Sequence, residues 1–133
     1  MEVILISLFI AALMPLLAKA PLAYAMFKEG RYDNRNPREQ QDRLSGFGAR
    51  AKAAHYNCFE ALALYTPGAL AVVAVNAATD LMQYYAIAFV FARLCYLFMY
   101  WFDIDKLRSL FWIVGCVISF LMLWHAMSVA AQM

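Results

Sequence analysis

Three polar side chains recur at helical spacing within residues 50–60 of this sequence. Arg50, Asn57 and Glu60 are separated by seven and then three residues, so on an α-helix they share one face. The apolar segment 61–78 follows directly. Ionisable groups inside a membrane are costly and normally face a bundle interior or a wet cavity. The stretch therefore predicts a polar site on the face of a membrane helix.

Further polar side chains are expected near the same membrane face. Arg93, Tyr96 and Tyr100 share one helical face of a later apolar segment. Arg93 cannot face lipid cheaply, and its simplest partner is Glu60 on the neighbouring antiparallel helix. The predicted binding residues, including the arginines of the long loop, are Arg31, Arg35, Arg38, Arg50, His55, Asn57, Glu60, Arg93, Tyr96 and Tyr100.

This set of residue types suits a polar anionic ligand that carries carboxylates. Arginines bind carboxylates in bidentate fashion, and Asn57 and the tyrosines would orient the remaining groups. No metal site is expected, because the two histidines, His55 and His125, are predicted near opposite membrane faces and no cysteine stands at ligand spacing. The sequence also contains no glycine-rich phosphate loop and no serine elbow.

Arg108 occupies an unfavourable position in the first turn of the last predicted helix. A cation there opposes the helix dipole at a cost of about 0.3–1 kcal/mol. One interpretation is an ion pair with Asp105, the predicted N-cap, or with Asp103. The other is that an anion binds at this helix end, where free N–H groups also point.

The composition predicts an integral membrane protein. Of the 133 residues 65% are hydrophobic, whereas a soluble domain averages about 45–50%. Seven of the eleven lysines and arginines fall within residues 28–52, and long runs elsewhere are almost free of charge. We expect one all-α domain, residues 1–133, that forms a four-helix transmembrane bundle. Its spans are predicted at about 3–27, 53–76, 81–102 and 107–131, with a polar loop at about 28–49.

Three cysteines and one lysine fall inside the predicted spans. Cys58, Cys95 and Cys116 all lie in apolar segments, so they are interpreted as small apolar fillers rather than a disulfide framework. Lys19 lies within the first span, and either extends towards an interface or lines an internal polar site.

Asp80 is the predicted N-cap of the third span, with Gln83 three residues later.

The charge distribution predicts an orientation and an oligomer. Both basic connections, 28–52 and 103–108, lie on one side of the membrane, while the 77–80 turn and the termini carry no lysine or arginine. The positive-inside rule places the loops in the cytoplasm and both termini opposite. An anionic lipid surface or anionic small molecule fits the basic loop, and nucleic acid does not. Because four helices cannot enclose all these charges, a homo-oligomer is expected.

These motifs resemble the MAPEG family, the membrane-associated proteins in eicosanoid and glutathione metabolism. Residues 53–60 (AAHYNCFE) are similar to the family's second-helix signature, and residues 92–96 (ARLCY), Tyr100 and residues 107–109 (LRS) to the third and fourth helices. The resemblance covers essentially the whole chain and is closest to the bacterial branch. It implies a multi-pass protein of the bacterial inner membrane.

The resemblance also implies a function. It implies a homotrimer that binds glutathione, as cosubstrate, between subunits near the cytoplasmic face. Asn57 and Glu60 would hold the glutathione backbone and its γ-glutamyl amine, and Arg93 and the two tyrosines would line the pocket. Arg108 would stabilise the thiolate as the catalytic residue. The implied activity is that of a glutathione transferase or peroxidase acting on an apolar electrophile.

Two departures keep other functions open. Many family enzymes carry arginine at the position of Ala53, and some carry tyrosine at the position of Ala61. Arg50 or Lys52 could replace the first. The alternatives are a non-catalytic membrane binding or scaffold protein of the same fold and, with less support, a small transporter. A transporter needs a path open to both faces, whereas the predicted charges cluster near one.

Overall fold

Five helices make up the chain, and the computed structural model describes all residues, 1–133. The helices are α1 (Glu2–Lys28), α2 (Pro37–Arg43), α3 (Gly46–Ala74), α4 (Asp80–Trp101) and α5 (Asp105–Ala130). Of these α1, α3, α4 and α5 are long and apolar enough to cross a membrane. The chain is therefore an all-helical integral membrane protein, which confirms the fold class predicted from composition.

The four long helices form a ring. α1 packs on α3, α3 on α5, α5 on α4 and α4 on α1, while α3 and α4 face each other across the ring with less contact. Arg50 on α3 and Asp103 between α4 and α5 form an ion pair at 3.5 Å. The α4–α5 connection therefore lies at the same end of the bundle as the long loop.

Two helix starts differ from the predicted caps by one residue. α4 is capped by Thr79, whose hydroxyl accepts a hydrogen bond from the Met82 N–H at 3.3 Å, so the prediction of Asp80 was wrong. α5 begins at Asp105 itself and Ile104 precedes it. The Asp105 carboxylate still accepts the N–H of the next residue at 2.8 Å. Such end positions are decided by side-chain geometry that the sequence pattern does not resolve.

The long loop is ordered by one glutamine and contains the short helix α2, which we did not predict. Pro37 at its first position presets a helical φ angle. The buried side-chain amide of Gln40 donates to the carbonyls of Met26 and Arg31, both at 3.1 Å, and accepts from the N–H of Asp33 at 2.9 Å. The loop therefore folds back against the end of α1.

Lys19 has no polar partner within the chain. Its side chain is half-buried and makes no hydrogen bond or ion pair. This isolation is expected for a lysine whose stem crosses apolar surface towards an interface.

Gly68 sets the closest approach of two membrane helices. A Cβ at this position would lie 2.7 Å from the Ser119 carbonyl oxygen and 3.1 Å from the Leu123 nitrogen. Both are backbone atoms of α5 and cannot move without displacing the helix. Small residues that allow backbones to approach are typical of membrane helix interfaces.

We predict that Gly68→Ala destabilises the protein although alanine is the better helix former by about 1 kcal/mol. Overpacking against backbone should cost about 1–3 kcal/mol. Thermal unfolding in detergent measures the change. Gly115→Ala is the matched control, because its Cβ would meet Arg93 Cδ at 3.5 Å, an ordinary contact. Equal stability of the two variants would contradict the close approach.

Candidate functional site

Arg93 is the most deeply buried charged side chain, with 2% of its surface exposed. Its Nη2 donates to Asn57 Oδ1 at 2.7 Å and lies 3.4 Å from the Asn57 main-chain oxygen. The Asn57 amide nitrogen in turn donates to Glu60 Oε2 at 2.7 Å. The carboxamide thus connects the buried guanidinium of α4 with the exposed carboxylate of α3.

The direct Arg93–Glu60 ion pair that we expected is absent. The ion pairs within 4 Å join Arg43 with Glu39, Arg50 with Asp103, and Lys52 with Asp42. A carboxamide can accept from a guanidinium and donate to a carboxylate at once, so Asn57 takes the intervening position. Glu60 remains exposed, where it keeps access to water or to a ligand.

Aromatic rings extend this network towards the loop end of the bundle. The Arg93 guanidinium carbon lies 4.2 Å from the Tyr96 ring centroid, and that of Arg108 lies 4.6 Å from the Tyr100 centroid. The two tyrosine rings meet edge to face at 5.5 Å. Cation–π contacts of this kind stabilise a guanidinium without neutralising it, so both arginines remain cations that can attract an anion.

Arg108 has no carboxylate partner, so the ion-pair interpretation of its position is wrong. Asp103 is engaged by Arg50, and Asp105 accepts a main-chain N–H of its own helix. The half-buried Arg108 instead lines a cavity of about 290 Å³ whose walls are residues of α4 and α5. A cation at a helix N-terminus next to a cavity is a favourable site for an anion.

Five predicted binding residues lie away from this network. Arg31 and Arg35 are exposed in the loop between α1 and α2. His55 faces α1, where its Nδ1 is 2.9 Å from the carbonyl oxygen of Pro15. Arg50 is held at the loop end by Asp103. Arg38 is exposed on α2 and makes no ion pair or hydrogen bond. The structure therefore brings together Asn57, Glu60, Arg93, Tyr96, Tyr100 and Arg108 by chained contacts.

One helical face of α5 was missed by the sequence reasoning. Ser109 and Trp112 line the cavity beside Arg108, and Trp112, Cys116 and Ser119 line a smaller cavity beside Arg93. Residues 108, 112, 115, 116 and 119 recur at three- and four-residue spacing. That period was readable in the sequence, but an apolar segment that holds only small polar groups resembles ordinary core.

The bundle and its buried guanidinium define a multi-pass membrane protein with a polar site between helices. Residues 3–128 match the family model of the MAPEG family, and the chain belongs to that family. The family includes glutathione transferases and peroxidases and also non-catalytic members. No curated protein and no solved structure matches the chain.

We predict that Asn57→Leu destabilises the protein because the buried Arg93 loses its strongest acceptor. Hydrogen bonds to charged groups contribute about 1.5–3 kcal/mol, and a loss of that size is expected. Denaturant titration in mixed micelles measures it.

A double-mutant cycle with Arg93→Met tests the cause. The double variant should lose less stability than the sum of the losses in the two single variants. Both partners are removed together there, so neither side chain is left without the group that it contacts. Glu60→Gln is the control, because it retains an oxygen that can accept from Asn57. Strictly additive losses would show that the two side chains do not interact.

Proposed function

We propose that this protein is a glutathione-dependent membrane transferase or peroxidase in which Arg108 stabilises the glutathione thiolate. The observation that carries the proposal is the isolation of Arg108. It is a half-buried cation in the first turn of α5, next to a cavity, with no carboxylate within ion-pairing distance. An anionic ligand would supply the missing charge.

The chemistry depends on forming the thiolate near neutral pH. A free thiol with a pKa of about 8.5 is mostly protonated there, and each unit of depression requires about 1.4 kcal/mol of preferential stabilisation of the anion. A guanidinium helped by the N-terminus of α5 is suited to provide one or more units. The proton released on ionisation passes to bulk water.

The ionised sulfur then acts as the nucleophile. In a transferase reaction it forms a bond to an electrophilic carbon and displaces the leaving group. In a peroxidase reaction two glutathione molecules become a disulfide while a hydroperoxide becomes an alcohol and water. An apolar acceptor would reach the sulfur from the bilayer, since the cavity beside Arg108 is also lined by Trp112 and Ile113.

The remaining polar groups are suited to hold the tripeptide. Glu60 presents an exposed carboxylate for an ammonium group, and the Asn57 amide supports it at 2.7 Å. Arg93 keeps Asn57 in place from the buried side. Because Asn57 and Glu60 lie towards the bundle surface, a neighbouring subunit in a homotrimer would complete the pocket, in keeping with family membership.

Glutathione affinity is expected to be weak. Arg50 and Lys52, the residues that could replace the arginine missing at Ala53, are both held in ion pairs, with Asp103 and Asp42. Neither is free to bind a glutathione carboxylate without breaking its present contact. The positive loop end would face the cytoplasm, where glutathione is abundant.

We predict that the purified protein produces the ultraviolet difference absorbance of a thiolate when glutathione is added near neutral pH. Arg108→Ala should reduce this signal at saturating glutathione by up to about tenfold for each unit of thiol pKa depression that is lost. Stopped-flow or static difference spectra measure it in detergent.

Lys106→Ala is the matched control. It removes a cation from the same helical turn, but Lys106 is exposed and lines no described cavity. A signal that survives Arg108→Ala moves thiolate stabilisation to another residue, with Arg93 the next candidate. The absence of a thiolate signal at saturating glutathione in the unaltered protein would contradict the proposed transferase function.

We also predict that native mass spectrometry in mild detergent detects a complex of three subunits. Charged groups at the surface of a single thin bundle would otherwise contact lipid at high cost. Glutathione should increase the proportion of trimer if it binds between subunits. A purely monomeric species that still ionises glutathione would place the whole site within one chain.

A further inference from the structure

The turn between α4 and α5 holds an acidic residue in a fixed backbone position. Asp103 has a φ angle of 63°, in the left-handed region that aspartate adopts more readily than most residues. Its N–H donates to the Tyr100 carbonyl at 3.3 Å, and the Ile104 N–H donates to the Met99 carbonyl at 2.9 Å. This is the Schellman arrangement that ends many helices. The backbone of Asp103 is therefore attached to the last turn of α4.

Arg108 is attached to the same part of α4. Its guanidinium carbon lies 4.6 Å from the Tyr100 ring centroid. The Arg108 main-chain N–H donates to the Ile104 carbonyl at 3.1 Å, so the first turn of α5 starts directly at the Asp103 turn. Asp105, the other acidic residue here, already accepts a main-chain N–H of α5 at 2.8 Å. Asp103 is thus the carboxylate of this turn that no hydrogen bond within α5 engages.

Arg50 of α3 holds this carboxylate from across the bundle. Its Nη1 lies 3.5 Å from Asp103 Oδ2. The Arg50 side chain is 29% exposed and that of Asp103 is 65% exposed, so the more buried arginine fixes where the pair lies. An ion pair with this exposure contributes little to stability. Its main consequence is electrostatic, because the pair directs a negative charge to Arg50 while Arg108 keeps no carboxylate within 4 Å.

We propose that Arg50 is a positioning residue, which holds the Asp103 carboxylate away from Arg108 and so keeps Arg108 free for an anionic ligand. The inference rests on the function proposed above, in which this ligand is the glutathione thiolate. Without Arg50, the Asp103 carboxylate would lose its cation beside a second, half-buried cation, and the two would attract each other. The thiolate would then meet a like charge and a neutralised arginine, both of which disfavour its formation.

The thiolate absorbance of bound glutathione tests this role. Arg50→Gln should lower the signal near neutral pH by up to about threefold for each half unit by which the thiol pKa rises. Asp103→Asn added to Arg50→Gln should restore the signal, because an amide has no charge to pair with Arg108. Asp103→Asn alone and the conservative Arg50→Lys should both keep it. A double variant as weak as Arg50→Gln would overturn the proposal, since Arg50 would then act on the ligand directly or through the fold.

Lys52→Gln is the matched control. It removes a second ion pair of α3, the one between Lys52 and Asp42, whose side chains are 27% and 67% exposed. Asp42 lies on α2, so its release brings no carboxylate to the turn before α5. The thiolate signal should therefore persist in Lys52→Gln. Equal losses in Lys52→Gln and Arg50→Gln would contradict a specific role of the Asp103 contact.

A second measurement needs no glutathione. The intact protein in lipid nanodiscs is treated with limiting phenylglyoxal, which modifies guanidinium groups, and mass spectrometry compares Arg108 with the exposed Arg35. Labelling of Arg108 should fall in Arg50→Gln, because Asp103 then covers it, and return when Asp103→Asn is added. Unchanged labelling of Arg108 in Arg50→Gln would refute the positioning role.

The two measurements separate this inference from the proposed function. If the unaltered protein does not ionise glutathione, the transferase proposal fails. The labelling of Arg108 would still decide whether Arg50 controls which charge lies beside it. If the thiolate forms but Arg50→Gln changes neither readout, the function stands and the positioning role is wrong.

Discussion

A guanidinium buried among membrane helices needs hydrogen-bond acceptors and polar neighbours that lipid cannot give. The position of Arg93 therefore constrains the surrounding structure. Asn57 supplies the acceptor, Tyr96 the aromatic face, and Gly115 the space that its aliphatic stem occupies. Each of these residues lies on a different turn or a different helix. The contacts of one side chain thus hold α3, α4 and α5 in register around a polar layer.

The same polar layer contains two arginines, Arg93 and Arg108, in different surroundings. Arg93 is enclosed and contacts the rest of the site through a carboxamide, whereas Arg108 stands at a helix end beside an open cavity. The tyrosines between them carry the contact from one to the other. A site arranged in this way holds positive charge at two depths, one enclosed by the helices at Arg93 and one beside the cavity at Arg108.

Packing between α3 and α5 explains why the polar layer is kept in place. Gly68 allows the two backbones to approach so closely that a methyl group would not fit. Tyr65, one turn earlier, stacks on Phe89 of α4 at 3.8 Å between ring centroids and is hydrogen-bonded to Ser7 of α1 at 2.6 Å. The apolar half of the bundle is thus fixed by contacts among all its spans, and the polar half is built on it.

The sequence by itself determined the membrane class, the number of spans and the family, because long apolar segments and short motifs are properties of the chain alone. It also predicted Asn57, Glu60 and Arg93 as binding residues. Arg108 was predicted as the catalytic residue. Only the tertiary structure decided that Asn57 stands between Arg93 and Glu60, that Asp103 binds Arg50 and leaves Arg108 free, and that His55 faces α1. Those choices depend on which donor reaches which acceptor across helices, and helical spacing gives the face of a residue but not its partner.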